Sequence, residues 1–203
     1  MVAEQLHLVQ DPLGASLQPL PLVSPHQALG AIAAALGKPR AEDPAPSWLL
    51  PAQIDAFHQL LSILRSFGGA MLAEPVGTGK TYIALAAAAA LSRGEAAQVF
   101  APATLRSQWL RVSAGQAVPV DFTSHEAVSR GRLPPPRCSL VVIDESHHFR
   151  NHSIRRYQNL APWLRGRSVL LMSATPVINK LADLAAQLVL AVRDDALRAY
   201  GCG

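Results

Sequence analysis

Short apolar runs recur along the chain at 70–73, 99–101, 118–122, 140–143 and 169–172, separated by polar stretches or stretches of helical periodicity. Runs of this length read as strands. Alternating with helices, they predict a mainly parallel sheet covered on both faces, a three-layer α/β fold. Residues 81–92, after the first run, are mostly alanine and predict a helix whose small side chains let it lie close to the sheet. A last helix is expected over 180–193, where Leu181, Leu184, Leu188 and Val192 repeat at helical spacing. Upstream, 1–47 is rich in Pro and Ala and carries one short helical pattern at 26–36, ended by Gly37 and Pro39. It reads as an N-terminal arm, joined through the linker-like Pro44-Ala45-Pro46 to a globular part over 48–203.

Composition narrows this picture. A chain of 203 residues, 50% hydrophobic and 16% charged, can bury one sizeable core with an appendage and is expected to be globular. The net charge of +4 is compatible with a polyanionic partner without requiring one. Cys138 and Cys202 stand far apart, which suggests neither a disulfide framework nor a zinc knuckle and fits a reducing, cytoplasmic setting. Met1 is followed by no basic segment of a signal peptide, and no apolar run reaches membrane-spanning length, so no membrane partner is expected.

Chemistry enters where the first run ends. Ala73 leads into Glu74-Pro75-Val76-Gly77-Thr78-Gly79-Lys80-Thr81 and then the alanine-rich helix. A glycine turn between strand and helix presents backbone N–H groups as a nest for phosphate oxygens. Gly77 and Gly79 permit close backbone approach, Lys80 would offer its ammonium to the outer phosphates of a nucleoside triphosphate, and Thr81 would place its hydroxyl on Mg²⁺. The general pattern has Gly where this chain has Glu74. A triphosphate site also needs carboxylates at the same sheet edge, and Leu140-Val141-Val142-Ile143 runs directly into Asp144-Glu145. Asp144 would hold the metal, and Glu145 would orient and deprotonate the attacking water. Ser173-Ala174-Thr175-Pro176 follows the run at 169–172, and its hydroxyls can bond those carboxylates and sense the γ-phosphate.

In order, these motifs resemble the first RecA-like lobe of the superfamily 2 helicases, and among them the Swi/Snf-type translocases and their bacterial relatives. That family commonly enters the loop through an acidic residue, so Glu74 becomes a matching feature. Leu50-Pro51-Ala52-Gln53 resembles the element whose Gln reads the adenine edge, which implies ATP through Gln53. Ala101-Pro102-Ala103-Thr104-Leu105 with Gln108-Trp109 is similar to motif Ia, and Thr123-Ser124-His125-Glu126-Ala127 to motif Ib; the resemblance implies nucleic-acid contacts by Pro102, Thr104, Arg106 and Thr123. Asp144 to Asn151 resembles a DEAH-type motif II with Ser146 in place of Ala, which implies a coupling role for His147 together with Ser173 and Thr175. Thr175-Pro176-Val177-Ile178-Asn179 resembles the family's Thr-Pro-Ile-Gln-Asn. The likeness covers about 48–192 and implies a RecA-like P-loop NTPase fold using ATP and Mg²⁺, with double-stranded DNA as the partner. It also implies a second RecA-like lobe, absent from this sequence, that brings arginine fingers, so that a lone lobe binds ATP far better than it hydrolyses it. The setting implied is bacterial-type and cytoplasmic, with nucleoid association open.

Other readings stay open. A truncated, non-catalytic interaction module is the alternative function. A small-molecule kinase would share the loop but need an Arg-rich lid, and Ser173-Ala174-Thr175 argues against it. His147, His148 and His152 with Cys138 lack metal-ligand spacing, and His148 reads as a solvated neighbour. Trp109 could stack on a base, but packing against the sheet is favoured. Arg106, Arg111, Arg130, Arg132 and Arg137 read as a phosphate track or as a solvated basic face.

Overall fold

The computed structural model describes residues 43–191 apart from 93, 136 and 177–180, and without the side chain of Leu181. The expected helix at 26–36, most of the N-terminal arm, Val177-Ile178-Asn179, Val192 and Cys202 lie outside the described residues. Within them, five strands form one sheet: β1 (Gly69–Leu72), β2 (Ala97–Ala101), β3 (Val120–Ser124), β4 (Leu140–Ile143) and β5 (Ser168–Met172). Their order is β1-β5-β4-β2-β3, and every neighbouring pair is parallel. Each strand lies where an apolar run predicts one. β3 starts two residues later than expected, after Pro119, which has no N–H to give a ladder.

The helices are α1 (Pro51–Phe67), α2 (Lys80–Leu91), α3 (Arg106–Gly115), α4 (His125–Ser129), α5 (Arg155–Trp163) and α6 (Leu181–Ala191). α2 and α6 fall on the two helices expected within the described residues; α1 is not among the expected elements. It forms because Pro51 suits a first helical position, Phe57, Leu60, Leu61 and Leu64 bury one stripe, and Gly68 closes the end in the left-handed region at φ 71° with its N–H on the Leu64 carbonyl.

Successive residues of the central strands feed opposite layers. Leu140, Val142, Leu170 and Met172 pack with Phe57, Ile83 and the α2 alanines; Val141, Ile143, Val169 and Leu171 pack with Phe149, Leu160 and Leu190. Hence α1, α2 and α3 cover one face and α5 and α6 the other, and β2, β4 and β5 are buried on both sides. This is the three-layer, RecA-like α/β architecture. Ile83 to Ala88 are all buried, which only a helix of small side chains permits when sheet and α1 press on it together.

Gly69 marks the closest approach between layers. A Cβ there would lie 1.8 Å from the Ala191 carbonyl oxygen at the end of α6. Gly69→Ala must therefore displace α6 or β1, and a loss of about 1–3 kcal/mol is expected in urea unfolding; an unchanged midpoint would contradict this packing.

Candidate functional site

A parallel sheet brings the carboxyl ends of its strands to one edge, and the loops there carry the motifs. The loop after β1 enters α2 through Gly77 at φ 90° and Gly79 at φ 83°, both in the left-handed region. At Gly79 a side chain is also excluded by space, because a Cβ would sit 2.2 Å from Gln53 Nε2. Lys80 Nζ donates to the carbonyls of Glu74 and Pro75, each at 2.8 Å, and the Thr78 hydroxyl donates to Pro75 at 3.1 Å. The lysine ammonium is thus folded over its own loop on neutral acceptors. Glu74 contributes its main-chain carbonyl to this arrangement. Thr81 stands half-buried in the first turn of α2.

Gln53 clamps loop to helix. Its Oε1 accepts from Leu50 N at 3.0 Å and its Nε2 donates to the Thr78 carbonyl at 3.0 Å. Those partners fix the orientation of the amide and, among the described residues, leave one N–H and one lone pair unused.

Asp144, just past β4, is buried. Its Oδ2 accepts from the indole N–H of Trp109 at 3.0 Å and its Oδ1 from Glu145 N at 2.9 Å. Burial pushes the carboxyl above its usual range; the Trp109 and Glu145 N–H groups oppose that, the Glu145 charge adds to it, and Lys80 draws it down. Trp109 is a core residue, as favoured from sequence, but its polar end holds the carboxylate assigned to the metal. Each Asp144 oxygen keeps a lone pair, so with the Thr81 hydroxyl the set suits a hard cation such as Mg²⁺. Among the described residues, no three His, Cys, Asp or Glu side chains gather to bind a metal by themselves.

Glu145 adopts φ 50°, ψ 48°, a left-handed conformation that a non-glycine residue holds only at a cost of about 1–3 kcal/mol. The turn aims its carboxylate at His147, with Oε2 3.1 Å from Nδ1. The same Nδ1 lies 3.2 Å from Ser173 Oγ, which accepts from Thr175 N at 3.1 Å. Glu145, His147, Ser173 and Thr175 therefore form one chain of polar contacts between β4 and β5. Behind it Ser146, fully buried, donates to Gln187 Oε1 at 2.8 Å, and Gln187 Nε2 donates to the carbonyls of Pro176 and Asp183. The hydroxyl that distinguishes this motif II is thus satisfied by α6, a partner 41 residues away that no local pattern announces.

Next to motif II stands His125. It is 1% exposed, neither ring nitrogen makes a hydrogen bond of good geometry among the described residues, and its ring meets Phe149 edge-on at 4.9 Å and His148 at 5.5 Å. His148 is exposed as expected but also stacks 4.5 Å from His147. On the motif Ia side, Thr104 and Arg106 are exposed, Pro102 half-buried, and the Arg106 guanidinium lies over the Phe122 ring. Thr123 differs: its hydroxyl accepts from Gln98 Nε2 at 3.2 Å within the sheet.

Comparison with known proteins supports the fold. Residues 123–199 match the SNF2-related domain. The chain is 28% identical over 150 residues to the bovine SWI/SNF-related matrix-associated actin-dependent regulator of chromatin subfamily A-like protein 1, covering 62% of this chain and 16% of that protein. The Xenopus tropicalis protein of the same name is 28% identical over 162 residues, covering 69% and 17%. The chain thus spans about a sixth of the length of these relatives. A solved structure described as the Sulfolobus solfataricus SWI2/SNF2 ATPase core in complex with dsDNA shares the fold, with a TM-score of 0.62 at 18% identity over 81% of this chain and 40% of that one.

Burial, with a smaller push from His148, lowers the His125 pKa from the ordinary 6.5 to about 3. The unfolded chain then binds one more proton than the folded one between those values. Stability is full above about pH 6.5 and drains as the pH falls. Between pH 7 and 5 this histidine should cost about 1–2 kcal/mol, and His125→Phe should flatten the pH dependence of urea midpoints by that amount. Parallel profiles would contradict it.

Proposed function

We propose that this chain, a Swi/Snf-type lobe of the superfamily 2 helicase-like ATPases, binds Mg²⁺-ATP at the carboxyl edge of its sheet and takes part in DNA-dependent hydrolysis when a second RecA-like lobe completes the site. The observation that carries the reading is the convergence on one edge of the glycine loop, the buried Asp144 and the Glu145–His147–Ser173 chain.

In this reading Lys80 exchanges two neutral carbonyls for phosphate oxygens, a charge-assisted and stronger contact. Asp144 and Thr81 would hold the Mg²⁺, which would supply positive charge to the phosphate oxygens. Glu145 takes a proton from the attacking water. His147 holds the Glu145 carboxylate in place and, through Ser173 and Thr175, ties it to the end of β5 beside the glycine loop; on the other side of β4, the Trp109 N–H on Asp144 links the same turn to α3, the helix that Pro102, Thr104 and Arg106 lead into. Those residues, with Thr123 behind them, form the face offered to a DNA backbone; the dsDNA named for the Sulfolobus neighbour supports that choice of polymer. A second lobe would add an arginine worth about 10³ to 10⁵ in rate, so ATP binding without it should far exceed turnover. A cytoplasmic setting goes with this function.

Calorimetry and phosphate release test the assignment. Lys80→Ala should abolish measurable ATP binding. Glu145→Gln should keep binding while the rate, measured with duplex DNA and a second lobe supplied in trans, falls about 10²-fold or more. Unchanged binding in Lys80→Ala, or unchanged turnover in Glu145→Gln, would overturn it and favour a non-catalytic module.

A further inference from the structure

We infer that Gln187, on α6, is a positioning residue for hydrolysis: its carboxamide ties the turn that carries Glu145 to the segment that carries Ser173 and Thr175, and so fixes where the base stands. The inference rests on the ATP reading above and adds to it a fully buried residue that works through Glu145.

The ends of β4 and β5 are joined twice. In front, at the sheet edge, Glu145 Oε2, His147 Nδ1 and Ser173 Oγ make one chain of polar contacts, in which the Glu145 and His147 side chains are 35% and 20% exposed. Behind it the Ser146 hydroxyl donates to Gln187 Oε1 at 2.8 Å, while Gln187 Nε2 donates to the Pro176 carbonyl at 2.6 Å and to the Asp183 carbonyl at 2.8 Å. Ser146 and Gln187 are both 0% exposed. The two bridges end on adjacent residues at either side. Glu145 precedes Ser146 in the motif II turn, and Pro176 follows Thr175, whose N–H donates to Ser173 Oγ.

The front bridge is wet, so water competes for its members and salt screens its charges. It also has to rearrange when phosphate and an attacking water arrive. The rear bridge is shut off from water, where a hydrogen bond is stronger and an unmade one is costly. It needs one acceptor for a hydroxyl and two donors for carbonyls, which Gln supplies in a single planar group; a carboxylate lacks the donors and an apolar side chain lacks both. The anchor is itself fixed, because the Tyr157 hydroxyl donates to the carbonyl of the neighbouring Ala186 at 3.0 Å. Alanine stands at the place of Ser146 in the DEAH-type motif that 144–151 resembles, and it would leave Oε1 without this donor.

The test uses the full chain with a second lobe in trans, duplex DNA and Mg²⁺-ATP, with ATP affinity read by calorimetry and turnover by phosphate release. Gln187→Met, which keeps length and bulk and removes the three hydrogen bonds, should lower kcat about tenfold and leave ATP affinity within about twofold of wild type. Ser146→Ala should lower kcat in the same direction, and the double variant should be no slower than Gln187→Met alone, since both changes break one bridge. In a Glu145→Gln background, where the base is already gone, Gln187→Met should alter the remaining rate less than about twofold. A residue that only supports the fold would lower that remainder as well. Unchanged kcat in a folded Gln187→Met, a loss of affinity equal to the loss of rate, or a further fall in the Glu145→Gln background would overturn the positioning role and leave the ATP site standing. Should Gln187→Met not fold, Ser146→Ala, which removes one hydroxyl, decides by the same three comparisons. If wild type neither binds ATP nor turns it over, the ATP reading itself fails, and the positioning role with it.

Discussion

Because β1 to β5 all run the same way, their carboxyl ends open at a single edge, and every candidate functional group of the chain has to be delivered there. The strand order adds a second restriction. β5 lies between β1 and β4, so Ser173 emerges between the glycine loop after β1 and Asp144-Glu145. Two ladders continue past the strands and hold these ends in register: Asp144 N donates to the Phe100 carbonyl at 2.8 Å and Ser173 N to the Leu72 carbonyl at 3.3 Å. The short polar contacts of the site are consequences of that register.

The site is held from behind by both layers. On one face, α3 carries Trp109, whose bulk fills the core while its N–H reaches Asp144. On the other, α6 carries Gln187, which answers the buried Ser146 and grips the Pro176 carbonyl after β5. A buried carboxylate and a buried hydroxyl would each cost about 1–3 kcal/mol if left unpaired. Their partners come from opposite sides of the sheet, so the motif II turn cannot shift without disturbing both. The unfavourable backbone of Glu145 persists within that grip.

Strands buried on both faces appear in a sequence as unbroken apolar runs, and for that reason β2, β4 and β5 were legible; β1 and β3 are less buried, and each lies within two residues of an apolar run. α1 carries its own signal, since Phe57, Leu60, Leu61 and Leu64 follow helical spacing. The loop, Asp144-Glu145 and Ser173 stand out in the sequence as candidates because their residue types suit phosphate and metal chemistry at a fixed place in a strand–turn–helix sequence. What could not be read were pairings across the sheet. Trp109 announces itself as apolar bulk and conceals its service to Asp144 35 residues on. Gln187 looks like an exposed helix residue until α6 is docked, and His125 looks like a polar motif Ib residue until Phe149 closes over it.

The most direct test of this account is the Mg²⁺ dependence of nucleotide binding in Trp109→Phe, which keeps most of the buried ring and removes only the N–H on Asp144. The Mg²⁺ concentration needed for half-maximal ATP binding should rise about tenfold, while the affinity measured in EDTA stays at the wild-type value. A folded Trp109→Phe with an unchanged Mg²⁺ requirement would show that Asp144 is not the metal carboxylate that the helix layer holds in place.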